Sequence, residues 1–189
     1  YDDDRVNPVK DLSCKDLALI AARVYTANDI KVYLFRSFAS TPELSFTVRF
    51  KHAVAGDMIS ASHNPPEFNG KKVVDEHGGQ LIPPFDEELV DVVVNEVKEI
   101  KTKDIKEAEE QGLLEYLTEK EHEEYLKAAS VASIGPYRDA KVLFSSFHGT
   151  AFTSAYEVMK RAGYDIHLDE ASSIPDPTFP TLMFNIPNP

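Results

Sequence analysis

The chain has 189 residues, of which 42% are hydrophobic and 28% charged, as in a soluble globular protein of one or two domains. Its formal net charge of −12 argues against nucleic acid or an anionic membrane as a partner, because both select basic surfaces. No apolar run approaches the roughly 20 residues of a membrane span, and no signal-peptide pattern opens the sequence.

A helix is predicted after Ser13, which forms a capping-box pattern with Asp16 and would continue to about Asn28. The apolar face of this helix would consist of Leu17, Ile20, Ala21 and Val24. Cys14 lies in the first turn, but no basic partner is evident, so we interpret it as a packed or idle residue rather than a catalytic thiol. A single cysteine excludes an internal disulfide, and we therefore expect a cytoplasmic setting.

Helices and strands alternate over the following residues. Residues 30–35 read as a strand, Thr41 and Pro42 begin a helix that runs to residue 50, and residues 53–59 read as a second strand. This alternation predicts an α/β fold with a mixed, largely parallel sheet and helices on both faces.

A turn-rich loop covers residues 59–72, directly after the second predicted strand. It contains a hydroxyl at Ser62, an imidazole at His63, and two positive charges at Lys71 and Lys72. Ligands bind at the carboxyl ends of strands in open α/β sheets, and these groups suit a phosphoryl group, whose transfer depends on positioning and charge neutralisation. From the chemistry alone, an ordinary surface turn with a chance histidine fits equally well.

After the loop, residues 72–74 predict a strand, residues 76–79 a turn and residues 86–97 an amphipathic helix. The inward side of that helix would consist of Leu89, Val92, Val93 and Val97. Residues 98–127 are rich in Glu and Lys and predict a solvated helical connector.

A second unit with a strand, a helix and a parallel strand is predicted from about Asp139. The strands cover residues 141–145 and 164–168, and the helix between them covers residues 151–162. His148 follows the first of these strands at a ligand-facing position, where a purely structural role is as compatible with the sequence as a direct one.

These elements predict a first domain with its helical connector in residues 1–136 and the start of a second domain in residues 137–189. The last part, from residue 175 on, is proline-rich and predicted to be extended. Because the sequence opens on Tyr1 and stops at Pro189 without a closing element, we expect it to be part of a larger protein.

The loop sequence Ser60-Ala61-Ser62-His63-Asn64-Pro65, followed by Asn69-Gly70-Lys71-Lys72, closely resembles the active-site serine loop of the α-D-phosphohexomutases. The resemblance implies domain I of that family and part of domain II. It further implies a phosphoserine at Ser62 that donates its phosphoryl group to a sugar phosphate and recovers it from a bisphosphorylated intermediate. The implied cofactors are Mg²⁺, bound through the Ser62 phosphate with its remaining ligands outside this chain, and glucose 1,6-bisphosphate as activator.

By matching position, the resemblance assigns catalysis to Ser62, His63 and Lys72, with Lys72 as general acid/base. It assigns substrate binding to Asn64, Lys71, Arg5 and His148. Two residues depart from the family pattern. Lys71 stands where the family often has an aromatic or apolar residue, and Asp57 replaces a usually apolar strand residue.

The resemblance therefore implies a phosphoglucomutase or phosphomannomutase that binds sugar phosphates, with pentose phosphates as further possible substrates. The alternatives are a phosphoglucosamine mutase and a nonenzymatic phosphosugar-binding remnant. A serine hydrolase is disfavoured because Ser62 lacks the flanking glycines of a nucleophile elbow. We expect residues 1–189 alone to be inactive, and the sequence leaves the oligomeric state open.

Overall fold

The computed structural model describes residues 12–64, 68–133 and 135–185. The predictions for Arg5 and for the start of the chain lie outside these ranges. The described helices are α1 (Cys14–Ala27), α2 (Thr41–Phe50), α3 (Phe85–Asn95), α4 (Ile105–Glu110), α5 (Glu119–Ser130), α6 (Ala155–Arg161) and α7 (Glu170–Ser173). The described strands are β1 (Val32–Leu34), β2 (Ala55–Ile59), β3 (Lys71–Asp75), β4 (Leu114–Tyr116), β5 (Lys141–Phe144) and β6 (Asp165–Leu168).

The described strands associate in pairs. The pairs β1–β4 and β5–β6 are parallel, whereas β2 and β3 form an antiparallel hairpin with Ala55 opposite Asp75 and Ile59 opposite Lys71. The mixed α/β class predicted from the sequence is confirmed. The parallel strands β5 and β6 are joined through α6 as predicted, whereas the connection from β1 to β4 contains the β2–β3 hairpin as well as helices α2, α3 and α4.

Both predicted helix starts in the first unit are confirmed. Ser13 and Asp16 cap α1 reciprocally, and Ser40 caps α2 with Pro42 in its first turn. The predicted inward face of α1 is wrong at Ile20, whose residue surface is 44% exposed, whereas Ala22 is buried. The reason is that Ala22 packs against Ala108 of α4 and Leu114 of β4, two residues far away in the sequence.

The β2–β3 hairpin rests on α2. Leu44 and Val48 of α2 and Val74 of β3 form a buried apolar cluster, against which Met58 of β2 packs. Gly56 permits this close approach, since a Cβ atom at that position would lie 2.6 Å from Val48 Cγ2. The apolar side of the hairpin is thereby fixed on α2.

Residues 98–127 were predicted to form a solvated helical connector, and the structure contradicts this description. The stretch contains β4, which pairs with β1, and the short helix α4. Ala108, Leu114 and Leu117 are buried, so the segment belongs to the core of the first unit. Most of its Glu and Lys side chains lie on the solvent side of these elements, but Glu121 is buried.

The helix predicted over residues 86–97 is present as α3, but the prediction that it packs inward is wrong. It buries no residue against the described part of the chain, and its apolar side chains are open to solvent. The exposed fractions are 39% for Leu89, 43% for Val92, 57% for Val93 and 50% for Val97. An amphipathic pattern identifies an apolar side and not the element that covers it.

The second unit has the predicted order of strand, helix and parallel strand. Its helix starts later than predicted, because residues Thr150–Thr153 form a 3₁₀ turn before α6. Gly163 follows α6 with a φ of +85°, in keeping with a glycine after a helix end. From residue 175 on, the sequence predicts an extended segment, but the described residues there contain turns and the 3₁₀ helix Met183–Asn185.

Candidate active site

The candidate site is the connection between β2 and β3. The Ile59–Lys71 pair is the last rung of the hairpin, and the Ser60 N–H then donates to the Gly70 carbonyl at 2.8 Å, which closes the loop. A pocket of about 280 Å³ lies in this loop. It is lined by Ser60, Ala61, Ser62, His63, Asn64, Asn69, Gly70, Lys71 and Lys72. Five of the seven predicted site residues therefore line one pocket.

Ser62 is exposed at the tip of this loop and has a φ of +60°. This left-handed conformation is uncommon for a residue with a Cβ atom. It is held by local hydrogen bonds, because the Ser62 N–H donates to Ser60 Oγ at 3.0 Å and the Asn64 N–H donates to the Ala61 carbonyl at 3.1 Å. The loop thus presents the Ser62 hydroxyl to solvent on a fixed backbone.

Asn69 connects the loop to the start of α1. Its side-chain oxygen accepts the Gly70 N–H at 2.8 Å, and its side-chain nitrogen lies 3.3 Å from Cys14 Sγ. This contact joins residues that are 55 positions apart, so the sequence around Cys14 does not reveal it. Cys14 is a partner of the loop rather than an isolated thiol.

The two neighbouring lysines have different surroundings. Side chains alternate between the faces of a strand, so Lys72 lies on the face of Val74, which packs against α2. Lys71 lies on the opposite face, towards α1. Within the described ranges, the side chains of Ser62, His63 and Lys72 have no hydrogen-bond or ion-pair partner.

The Lys71 ammonium group is bound by protein atoms. Its Nζ donates to the Tyr25 hydroxyl at 2.7 Å and lies 3.0 Å from Asp57 Oδ2. Burial alone lowers the pKa of Lys71, but the hydrogen bonds to Tyr25 and Asp57 outweigh it and the net pKa is raised. Lys71 is therefore a charged lysine whose ammonium group is held by Tyr25 and Asp57.

Tyr25 and Asp57 were not identified as site residues from the sequence. The Tyr25 hydroxyl donates to Asp57 Oδ2, and burial followed by this hydrogen bond raises the pKa of Tyr25. The one feature of the sequence that could have pointed to this contact is the acid at position 57 in an otherwise apolar strand. Its side chain is 18% exposed and needs the partners that Tyr25 and Lys71 provide.

His148 does not line the Ser62 pocket. It lies between β5 and α6, is 2% exposed, and its ring nitrogens contact the Ile174 carbonyl and Thr181 Oγ1, each at 2.8 Å. Protein groups thus occupy both of its ring nitrogens. This geometry favours the structural role that the sequence left open, in which His148 joins the β5–α6 loop to the segment that contains Ile174 and Thr181.

The described pocket residues do not fit a magnesium site by themselves. No group of three or more His, Cys, Asp or Glu side chains in the described ranges could hold a metal ion. The nearby Asp57 carboxylate is bound by Tyr25 and Lys71. A phosphate on Ser62 would offer oxygen ligands, but Mg²⁺ requires several more in near-octahedral geometry.

Comparison with known proteins identifies the first part of the chain. Residues 11–100 match the family model described as phosphoglucomutase/phosphomannomutase, alpha/beta/alpha domain I. These residues therefore resemble domain I of the phosphoglucomutase/phosphomannomutase family. The Ser62 loop and the β2–β3 hairpin both lie within the matched range.

Similar proteins extend the likeness beyond that domain. The chain is 35% identical over 173 residues to the phosphoglucomutase of Staphylococcus saprophyticus, covering 89% of this chain and 31% of the relative. It is 34% identical over 171 residues to the phosphoglucomutase of Staphylococcus aureus strain MRSA252, with the same coverage of 89% and 31%. The chain thus spans about a third of the length of these relatives.

A solved structure supports the fold. The crystal structure described as a "putative phosphomannomutase" from Thermus thermophilus matches with a TM-score of 0.58 and 23% identity. The match covers 80% of this chain and 33% of that chain. Within the described ranges, no helix has the length and apolar character needed to cross a membrane.

Proposed function

We propose that this chain carries the phosphoryl-transfer loop of a phosphohexomutase, which interconverts the 1-phosphate and 6-phosphate of a sugar. Phosphorylated Ser62 transfers its phosphoryl group to a sugar hydroxyl, so the Oγ–P bond breaks as the new P–O bond forms. The resulting bisphosphate then returns its other phosphoryl group to Ser62 Oγ. The observation that carries the proposal is the exposed Ser62 hydroxyl on a hydrogen-bonded loop within the residues that match domain I of the phosphoglucomutase/phosphomannomutase family.

Lys72 is proposed as the general acid/base that takes the proton of the attacking hydroxyl. It lines the same pocket as Ser62 and has no competing partner within the described ranges. His63 and Asn64 also line the pocket, and their proposed role is to contact the transferred phosphoryl group and the sugar. Positioning and charge neutralisation supply most of the catalysis in phosphoryl transfer.

A serine hydrolase is a weaker alternative. Such an enzyme requires a histidine that is hydrogen-bonded to the serine and oriented by a carboxylate. In the described part of the chain, His63 has no such carboxylate partner. The Asp57 carboxylate is bound by Lys71 and Tyr25 instead.

The proposal includes the phosphoglucomutase/phosphomannomutase branch, a cytoplasmic setting, sugar phosphates as ligands, Mg²⁺ as cofactor and glucose 1,6-bisphosphate as activator. Mg²⁺, when bound, would neutralise charge on the transferred phosphoryl group, and Ser62 would contribute a ligand only through its phosphate. The assignment to the phosphoglucomutase/phosphomannomutase branch can be tested by the substrate preference of the full-length protein. The values of kcat/KM should be compared for glucose 1-phosphate, mannose 1-phosphate, glucosamine 1-phosphate and ribose 1-phosphate. The highest value with glucosamine 1-phosphate would contradict it.

The central experiment maps the phosphate. After incubation of the full-length protein with glucose 1,6-bisphosphate and Mg²⁺, fragment mass spectrometry should find one added phosphate on Ser62. The Ser62→Ala variant should carry none, whereas Ser60→Ala should still be modified at Ser62. Phosphate on Ser60, or no phosphate in the wild-type protein, would overturn the proposal.

Residues 1–189 alone are proposed to be inactive. The described pocket holds too few ligands for Mg²⁺, and the charge that develops in the transition state must be neutralised where it forms. A coupled assay of this purified stretch with glucose 1-phosphate, glucose 1,6-bisphosphate and Mg²⁺ should show no mutase turnover. Turnover above background would mean that the chemistry needs fewer groups than we assign to it.

A further inference from the structure

Tyr25, Asp57 and Lys71 form a polar cluster behind the Ser62 loop. The Asp57 carboxylate accepts the Tyr25 hydroxyl and forms an ion pair with Lys71 at 3.0 Å, and Lys71 also donates to Tyr25 at 2.7 Å. The Lys71 Nζ lies 5.3 Å from the centre of the Tyr25 ring as well. Each member of the cluster therefore contacts both others.

The cluster lies where the hairpin meets the loop. Asp57 is opposite Val73, so Lys71 is its diagonal neighbour on the same face of the hairpin. Lys71 forms the last rung with Ile59, and the loop bond from Ser60 to Gly70 follows at once. Tyr25 belongs to α1, so the cluster attaches this end of the hairpin to a helix.

Asp57 and Lys71 are thus partners of one another. An acid in a half-buried strand has a high desolvation cost when it is unpaired, and Lys71 supplies the compensating charge. The ion pair also keeps the Lys71 ammonium group on the α1 side of the hairpin, away from Lys72.

We propose that Tyr25, Asp57 and Lys71 are positioning residues that anchor the loop end of the hairpin on α1 and so hold Ser62 and Lys72 in place for phosphoryl transfer. This inference rests on the proposed mutase function for its catalytic readout. The proposed role is indirect and requires no contact between the cluster and the substrate. The cluster acts through the last rung of the hairpin, and a displacement of about 1 Å at a reacting group can cost about a hundredfold in rate.

The kinetic test uses the full-length protein, at a temperature where all variants are folded. Lys71→Met and Asp57→Val should each lower kcat about tenfold and change the KM for glucose 1-phosphate by less than about twofold, because positioning affects the chemical step. The double variant should also lose only about tenfold, because both substitutions remove the same contact. Lys71→Arg, which keeps the charge, should retain most of the activity.

Lys31→Met is the matched control. Lys31 also forms an ion pair at 3.0 Å, with Glu115, and its side chain is 46% exposed compared with 44% for Lys71. It lies outside the hairpin, so its loss should leave kcat unchanged. Losses in kcat that multiply in the double variant, or an equal loss in Lys31→Met, would overturn the inference.

Hydrogen exchange provides a readout that does not depend on mutase activity. Lys71→Met and Asp57→Val should speed amide exchange in peptides covering residues 60–72 about tenfold, whereas Lys31→Met should not. Unchanged exchange in these peptides would overturn the positioning role. If the wild-type protein shows no mutase turnover, the proposed function fails, and the exchange measurement alone decides the inference.

Discussion

Lys71 and Lys72 are consecutive residues of β3, yet their side chains lie on opposite faces of the β2–β3 hairpin. Lys71 is bound by Tyr25 and Asp57 on the α1 side. Lys72 is on the face of the hairpin that packs against α2 and lines the Ser62 pocket. Lys71 is thereby held by two protein side chains, whereas the Lys72 side chain has no partner among the described residues.

This arrangement predicts unequal effects of the two lysines on turnover. Lys72→Ala in the full-length protein should lower kcat by about 10²–10⁴-fold, because a general acid/base contributes a factor of that size. Lys71→Ala should lower it only about tenfold through the displaced loop. Steady-state kinetics with glucose 1-phosphate measure both, and a larger loss for Lys71→Ala would reverse the assignment.

The backbone of Ser62 predicts a conflict between stability and function. Its φ of +60° costs little for glycine but about 1–2 kcal/mol for a residue with a Cβ atom. Ser62→Gly should therefore be more stable than Ser62→Ala by about 0.5–1 kcal/mol after the greater chain entropy of glycine is counted. Urea unfolding measures the difference, and both variants should fail to take up phosphate. Equal stability would show that Ser62 is unstrained.

Local signals in the sequence were sufficient for much of the fold. The capping pair Ser13 and Asp16 and the first-turn proline Pro42 act within a single turn, so the starts of α1 and α2 could be predicted without knowing their neighbours. The loop at Ser62 is also local, since its turn residues lie between two adjacent strands. These features need no information about distant contacts.

Long-range pairing explains what the sequence did not reveal. β4 pairs with β1 across about 80 positions of sequence, which composition alone cannot indicate in a Glu- and Lys-rich stretch. In Lys71-Lys72-Val73-Val74 each face of the strand receives one lysine and one valine. The pattern therefore cannot tell which lysine faces α1, and the Tyr25–Asp57 contact that decides it joins α1 to β2.

Gly56 should tolerate no larger residue. A Cβ atom there would lie 2.6 Å from Val48 Cγ2 and 3.0 Å from Val74 Cγ2, within the cluster that fixes the hairpin on α2. Gly56→Ala should lower the free energy of unfolding by about 1–3 kcal/mol, the usual cost of overpacking a core.

Thermal and urea unfolding of this variant measure the effect. Gly79→Ala is the matched control, since its added Cβ would make an ordinary contact of 3.5 Å with Asp75 Oδ1. Adding Val48→Ala to Gly56→Ala should recover part of the loss by opening space. Equal stability of Gly56→Ala and Gly79→Ala would show that the α2 contact is looser than the structure indicates.

The capping box of α5 predicts an acid-sensitive contribution to stability. Burial alone raises the pKa of Glu121, but hydrogen bonds from the backbone and side chain of Thr118 and from Lys51 outweigh it and lower the pKa to about 2. The ordinary value is 4.5, so the folded protein binds the proton less tightly than the unfolded chain. The contribution is therefore fully present above pH 4.5 and is lost as the pH falls towards 2.

Glu121→Gln should accordingly flatten the decline in the free energy of unfolding between pH 4.5 and 2, and should lower stability mainly near neutral pH. Urea unfolding at a series of pH values measures this slope. Glu124→Gln is the control on the same helix, because Glu124 pairs only with exposed Lys127 among the described residues and such pairs contribute little. An unchanged slope in Glu121→Gln would mean that the cap does not stabilise the ionised carboxylate, and the start of α5 would then depend on Thr118 alone.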